Sequence, residues 1–276
     1  MRLRLKIIAT VSSLALVAFG TLAVSVNSSE TGKIAQPPAG HPLDEIISGY
    51  NYRTPETQSL QDDDFENPGF IWVEKGEELW STVDGAAGKS CESCHEDASE
   101  TLKTAGAHFP KWNDDLGKPI NLEQQINKCR TDQMQAKAWK WESEELLAMT
   151  AYTRMQSRGE PVKVEIDGKM KPFFEQGKDL YYTRVGQLDM ACSNCHEDNY
   201  GNQIRSDLLS QGQTNGFPTY RLKWQKLGST HRRFKGCMKN IRATPYAVGS
   251  DEFVNLELYI AYRGQGLKVE APAVRN

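Results

Sequence analysis

The chain has 276 residues, with 33 lysines and arginines against 36 aspartates and glutamates, and a formal charge of −3. That balance excludes a nucleic-acid footprint everywhere except one short basic stretch. With 38% apolar residues, the chain can bury the core of one large domain or two ordinary ones.

The amino terminus, MRLRLKIIATVSSLALVAFGTLAVS, sets Arg2, Arg4 and Lys6 ahead of an apolar run from Ile7 to Phe19, with Ala23 and Ser25 following. This is the layout of a signal peptide over residues 1–25 and predicts export to the periplasm. The run is shorter than the roughly 20 residues that span a bilayer, so an uncleaved anchor is the weaker alternative. Removing residues 1–25 takes away three cations and no anions, which moves the charge from −3 to −6. Residues 26–66 are polar and show little helical periodicity. They read as an irregular N-terminal extension that wraps a domain or stays mobile.

Two segments that follow match each other. KGEELWSTVDGAAGKSCESCHED (75–97) aligns without gaps on QGKDLYYTRVGQLDMACSNCHED (176–198), at an offset of 101. After seven extra residues in the second copy, Phe109-Pro110 falls on Phe217-Pro218. The new offset of 108 then holds as far as Cys129 on Cys237. The chain is an internal duplication, predicting a first domain over 67–157 and a second over 172–276. Between them, RGEPVKVEIDGKMKP alternates Val162, Val164 and Ile166 up to an Asp-Gly pair. That pattern predicts a linker (158–171) with a short strand.

CESCH at 91–95 and CSNCH at 192–196 are attachment sequences for c-type haem. Cys91 with Cys94, and Cys192 with Cys195, lie one helical turn apart, so each pair can add to two vinyl groups. His95 and His196 then reach the irons as proximal ligands. A redox C-x-x-C would need a surrounding βαβ pattern that is absent, and a zinc site would use both pairs jointly. Each copy opens with Gly-x-x-x-aromatic (Gly76 to Trp80, Gly177 to Tyr181) and closes with a helical apolar stretch, 144–153 or 253–262. That order resembles class I cytochrome c and implies a mainly α fold of two such domains.

Cys129 and Cys237 are left over at equivalent positions. They could form one disulfide between the domains, as spare thiols outside the cytosol often do. Alternatively, each supplies a thiolate to its own haem, where class I cytochromes c usually place a methionine; Met134, Met149, Met155 and Met238 are the available methionines. An anionic sulfur ligand would stabilise ferric iron and lower the potential. Cys129 sits among mixed charges, whereas Cys237 lies in HRRFKGCMKNIR, with Arg232, Arg233, Lys235, Lys239 and Arg242 around it. Cations there lower a thiol's pKa and draw anions. A solvated basic face that offsets haem propionates or docks an acidic partner is the plainer reading.

The two C-x-x-C-H sites, the cysteine downstream of each, and HRRFKGCMKNIRATP resemble the SoxA family, dihaem subunits of the SoxAX cytochromes in thiosulfate oxidation. The resemblance covers essentially the whole mature chain, and the last motif is its specific part. It implies two covalently attached c-type haems, with iron ligands His95 and Cys129 in one site and His196 and Cys237 in the other. It further implies that Cys237 is catalytic and carries a persulfide, that Arg233 binds substrate, and that Arg263 is a further cation at that site. The implied activity joins thiosulfate to a cysteine of the carrier SoxYZ, with electrons passing to a SoxX subunit and on to a small cytochrome c. A thiosulfate dehydrogenase that makes tetrathionate stays open as an alternative, as does a dihaem electron carrier without a substrate of its own.

Overall fold

The computed structural model describes residues 33–276; the proposed signal peptide lies outside the described residues. The N-terminal extension is more ordered than its composition suggests. β1 (Ile34–Ala35) pairs antiparallel with β2 (Ile46–Ile47). α1 (Pro55–Asp62) follows, its first turn set by Pro55 and by the Thr54 hydroxyl, which accepts the Thr57 N–H.

The first domain contains α2 (Phe70–Ser81), α3 (Glu92–His95), α4 (Ala98–Thr101), the hairpin β3 (Lys111–Asn113) and β4 (Lys118–Ile120), α5 (Leu122–Asp132) and α6 (Glu144–Gln156). The second repeats it with α7 (Lys171–Tyr182), α8 (Cys192–His196), an added hairpin β5 (Gln203–Ile204) and β6 (Asp207–Leu208), the hairpin β7 (Thr219–Arg221) and β8 (Lys226–Gly228), α9 (Thr230–Asn240) and α10 (Asp251–Arg263). β9 (Ala273–Arg275) then lies parallel to β7 and completes a three-stranded sheet.

In each copy the first helix crosses the last one. α2 buries Val73, Gly76 and Trp80, and α7 buries Phe174, Gly177 and Tyr181, the three-and-four spacing of a single helix face. The glycines are what let the backbones touch. A Cβ on Gly76 would come within 2.5 Å of the Tyr152 Cβ on α6, and one on Gly177 within 2.5 Å of the Asn255 carbonyl carbon on α10. The last helices begin at Ser143 and Ser250, whose hydroxyls accept N–H bonds from Leu146 and Phe253, with two acids in each first turn.

The two domains grip each other reciprocally. Tyr220, on the β7–β8 hairpin, packs at a tilt against Trp72 of α2, and its counterpart Trp112 on β3 packs likewise against Phe173 of α7, both pairs with ring centroids 6.0 Å apart. Leu227 of β8 is fully buried in the core of the first domain. Between the hairpins, His231 of α9 lies flat on Trp141 at 5.3 Å. Its Nδ1 accepts the Gly249 N–H at 3.0 Å, so its proton sits on Nε2, which faces Glu257 at 3.0 Å. Arg154 reaches out of α6 to donate to the carbonyls of Phe217 at 3.1 Å and Asn215 at 3.4 Å.

The expected linker strand does not form. Pro161 has no N–H for a ladder, so the segment makes only an isolated bridge to Lys268. Val162 and Val164 are nevertheless buried, and Val162 donates to the Leu267 carbonyl at 2.8 Å. Asp167-Gly168 leads into a 3-10 turn (Gly168–Met170) that runs straight into α7. The extension does wrap the second domain: Ile47 donates to Gln211 at 2.7 Å, and Gln61 of α1 accepts the Val274 N–H at 3.2 Å.

Candidate functional site

In the second domain, α8 carries Cys192, Cys195 and His196 on little more than one turn. Its start is tied by the Ala191 N–H, which donates to the Asn194 side chain at 2.9 Å. The loop before it is clasped to the end of α9, with Gln187 and Leu188 donating to the carbonyls of Arg242 and Ile241, both at 3.3 Å. This clasp sets the cysteine of α9 over the C-x-x-C-H turn. The first domain builds the same clasp, from Ala86 to Gln135 at 3.3 Å and from Ala87 to Met134 at 3.1 Å.

His196 Nδ1 lies 2.7 Å from the Ser210 carbonyl, which can only accept, so the proton is on Nδ1 and the Nε2 lone pair is free for a metal. Gly212, at φ +81°, lets the chain lie against the ring; a Cβ there would come within 2.9 Å of the imidazole Cγ. The imidazole interacts with the sulfur of Cys237. Burial resists ionisation of Cys237, but the Arg233 charge, the neighbouring His196 and the Arg221 charge outweigh it and bring the thiol down to about 6. Burial alone dominates at the attachment cysteines, pushing Cys91 up to about 11 and Cys192 up to about 12.

Arg233 stands one helical turn before Cys237 on α9, as its spacing implied. Arg221 on β7 and Arg53 from the extension complete the cluster, and both feel the Arg233 charge. Arg263 is fully buried, donates to Glu197 at 2.6 Å and stacks over Tyr181 at 4.5 Å. Its charge acts on Cys192, and the arginine charges acting on Cys237 are those of Arg233 and Arg221.

The first site shares this frame and differs in charge. Cys129 occupies the position of Cys237, but the place of Arg233 belongs to Gln125, whose amide donates to the Cys129 sulfur at 3.2 Å. Asn113 stands where the second copy has Arg221. His95 is exposed, with its ring 5.8 Å from that of Trp80. No disulfide joins Cys129 and Cys237. Met134 and Met149 are buried, and Met155 packs against the first core, so these methionines serve packing.

Sequence reasoning missed Arg221, Arg53 and Ser210. The duplication held a signal for Arg221, because its counterpart is the uncharged Asn113. Nothing local points to Arg53, which comes from a separate segment of the chain.

Two thiols one turn apart, an imidazole with a free Nε2 and a sulfur facing it form a donor set that fits c-type haem. The fold and site therefore define a c-type cytochrome built on a duplicated class I frame. Residues 75–162 match the family model for the SoxA/TsdA cytochrome c domain. The chain is 50% identical to the L-cysteine S-thiosulfotransferase subunit SoxA of Pseudaminobacter salicylatoxidans, covering 88% of this chain and 85% of that one. It is 48% identical to the protein of the same name from Rhodovulum sulfidophilum, over 85% and 82%. The crystal structure of SoxXA from P. pantotrophus superposes with a TM-score of 0.85 at 43% identity, covering 88% of this chain and 93% of that one. The chain belongs to the SoxA family.

Proposed function

We propose that this L-cysteine S-thiosulfotransferase subunit performs its chemistry in the second domain, at Cys237. The observation that carries this reading is the contrast between equivalent sites: Cys237 lies one helical turn from Arg233 and within the field of Arg233 and Arg221, whereas the sulfur of Cys129 accepts a hydrogen bond from the neutral Gln125. Both attachment sequences are complete. The proposal is therefore two covalent haems, one on Cys91 and Cys94 with ligands His95 and Cys129, and one on Cys192 and Cys195 with ligands His196 and Cys237.

Thiosulfate, a dianion, and a carrier thiol yield a cysteine S-thiosulfonate, one proton and two electrons. Arg233 holds the sulfonate oxygens in forked hydrogen bonds. Arg263 offers the buried Nε and Nη2, which have no protein partner, as a further cationic contact. A persulfide on Cys237 presents a sulfur beyond the one facing the iron. It bonds the outer sulfur of thiosulfate in a disulfide-type link as two electrons depart. The thiolate of the carrier SoxYZ then attacks that outer sulfur and leaves the Cys237 persulfide as it began. Held by Cys192, Cys195 and His196, a haem would supply the acceptor for those two electrons, with a SoxX partner subunit and a small cytochrome c as their onward route. No helix among the described residues is long and apolar enough to cross a membrane. The basic, apolar leader supports export to the periplasm.

The test compares Cys237→Ala with Cys129→Ala in thiosulfate-dependent loading of the carrier, alongside a peptide mass map. Cys237→Ala abolishes loading and Cys129→Ala largely preserves it, with two haems per chain and one extra sulfur on Cys237. Equal loss from both variants would remove the assignment of chemistry to the second site.

A further inference from the structure

The second copy is seven residues longer than the first between its histidine and its Phe-Pro pair, and the β5–β6 hairpin lies in that stretch. The hairpin carries Asp207. Its carboxylate lies 3.7 Å from Arg221 Nη2, 3.9 Å from Arg53 Nη1 and 4.0 Å from Lys223 Nζ, so one anion is shared loosely among three cations. Arg221 and Arg53 are 6% and 7% exposed at their side chains. Main-chain oxygens hold one side of each: Arg221 Nε donates to that of Asn276 at 2.7 Å, and Arg53 Nη2 to that of Leu208 at 2.8 Å. Arg221 Nη1 and Arg53 Nε are buried with no partner at all.

A buried guanidinium N–H without an acceptor is costly, and here two occur in one cluster. Arg53, Arg221, Lys223 and Arg233 bring four positive charges. Among the described residues, Asp207 is the single carboxylate side chain set against Arg221, Arg53 and Lys223, at 3.7–4.0 Å from each, so it pairs closely with none of them. The first site lacks this cluster, because Asn113 and Gln125 stand where the second copy has Arg221 and Arg233.

We propose that Arg221 is a second anion-holding residue of the Cys237 site, working beside Arg233, and that Asp207 on the inserted hairpin is its resting counter-ion, displaced when the substrate sulfonate arrives. This rests on the reading of Cys237 as the thiosulfate site. Arg221 positions the sulfonate, and Asp207 competes with it for the same guanidinium.

The test uses the haem-loaded complex with its carrier, measuring KM and kcat for thiosulfate together with the midpoint potential of the second haem. Arg221→Gln raises KM about tenfold or more, the scale of a lost charged hydrogen bond, with a smaller change in kcat and an unchanged potential. Arg221→Lys recovers most of that loss, and Asp207→Asn lowers KM. An unchanged KM with a shifted potential in Arg221→Gln would mean that Arg221 serves a haem carboxylate and would overturn the proposal. A raised KM in Asp207→Asn would overturn the counter-ion role. Cys237→Ala separates the two levels: full turnover without that sulfur defeats the underlying reading, whereas no turnover together with a normal KM in Arg221→Gln defeats this proposal alone.

Discussion

Gly177→Ala tests the packing that holds the second site together. The added methyl would sit within 2.5 Å of the Asn255 carbonyl carbon, where ordinary contact begins at 3.4 Å. The obstacle is backbone, with the Asn255 carbonyl oxygen nearer still, so α7 and α10 must separate by at least about 0.9 Å, the difference of those two distances. A gap of that size forfeits about a quarter to a half of the dispersion energy along the crossing. Overpacking of this kind costs up to about 3 kcal/mol, and alanine returns about 1 kcal/mol as the better helix former. The net loss is about 2 kcal/mol, or a fall in Tm of about 4–8 °C for a chain of this size. Thermal unfolding of the haem-loaded protein, followed at the Soret band and in the far ultraviolet, reads both the fold and the site. A Tm at or above that of the wild type would refute the reasoning, since it is the result expected where no second helix lies against the glycine.

Two further predictions concern polar groups that the two copies do not share. Glu123 is buried near Glu257; burial and then that neighbour raise its pKa above the ordinary carboxylate value. The folded state therefore holds a proton that the unfolded state releases, and stability falls as pH rises above the ordinary range. Glu123→Gln removes this dependence, so its Tm advantage over the wild type grows from pH 5 to pH 8; a constant or shrinking difference would contradict the assignment. Gln125→Leu deletes the hydrogen bond on the Cys129 sulfur. If that sulfur is an axial ligand, the midpoint potential of the first haem falls by about 40 mV, equivalent to about 1 kcal/mol. Redox titration checks this, and an unchanged potential would argue against Cys129 as the ligand.

The features legible in the sequence were those written locally. The C-x-x-C-H turns, the closing helical stretches over 144–153 and 253–262, and the Arg233–Cys237 spacing each depend on residues a few positions apart. The offsets of 101 and 108 carried the domain plan, because a copied segment copies its fold. What stayed hidden depended on distant partners. Thr54-Pro55 is a sound helix start, but α1 is held by its packing against β9, whose residues lie more than two hundred positions away. The alternation of Val162 and Val164 correctly marked buried residues, yet Pro161 withheld the N–H that a strand needs. Arg53 joins the site only because the extension wraps the second domain.

The reciprocal packing of Trp72 against Tyr220 and of Phe173 against Trp112 has an evolutionary meaning. Each half offers the same surface patch to the other, which is the defining property of an isologous interface in a two-fold homodimer. Such an interface is the one expected if two identical subunits were joined end to end by gene fusion. Fusion releases the halves from identity, because a mutation then strikes one copy and not its mate. Histidine could settle at position 231 opposite the glutamate at 123, and arginines could gather around one sulfur while the other kept its glutamine. A symmetric ancestor would have had two equal sites; the fused chain can give one of them to the substrate.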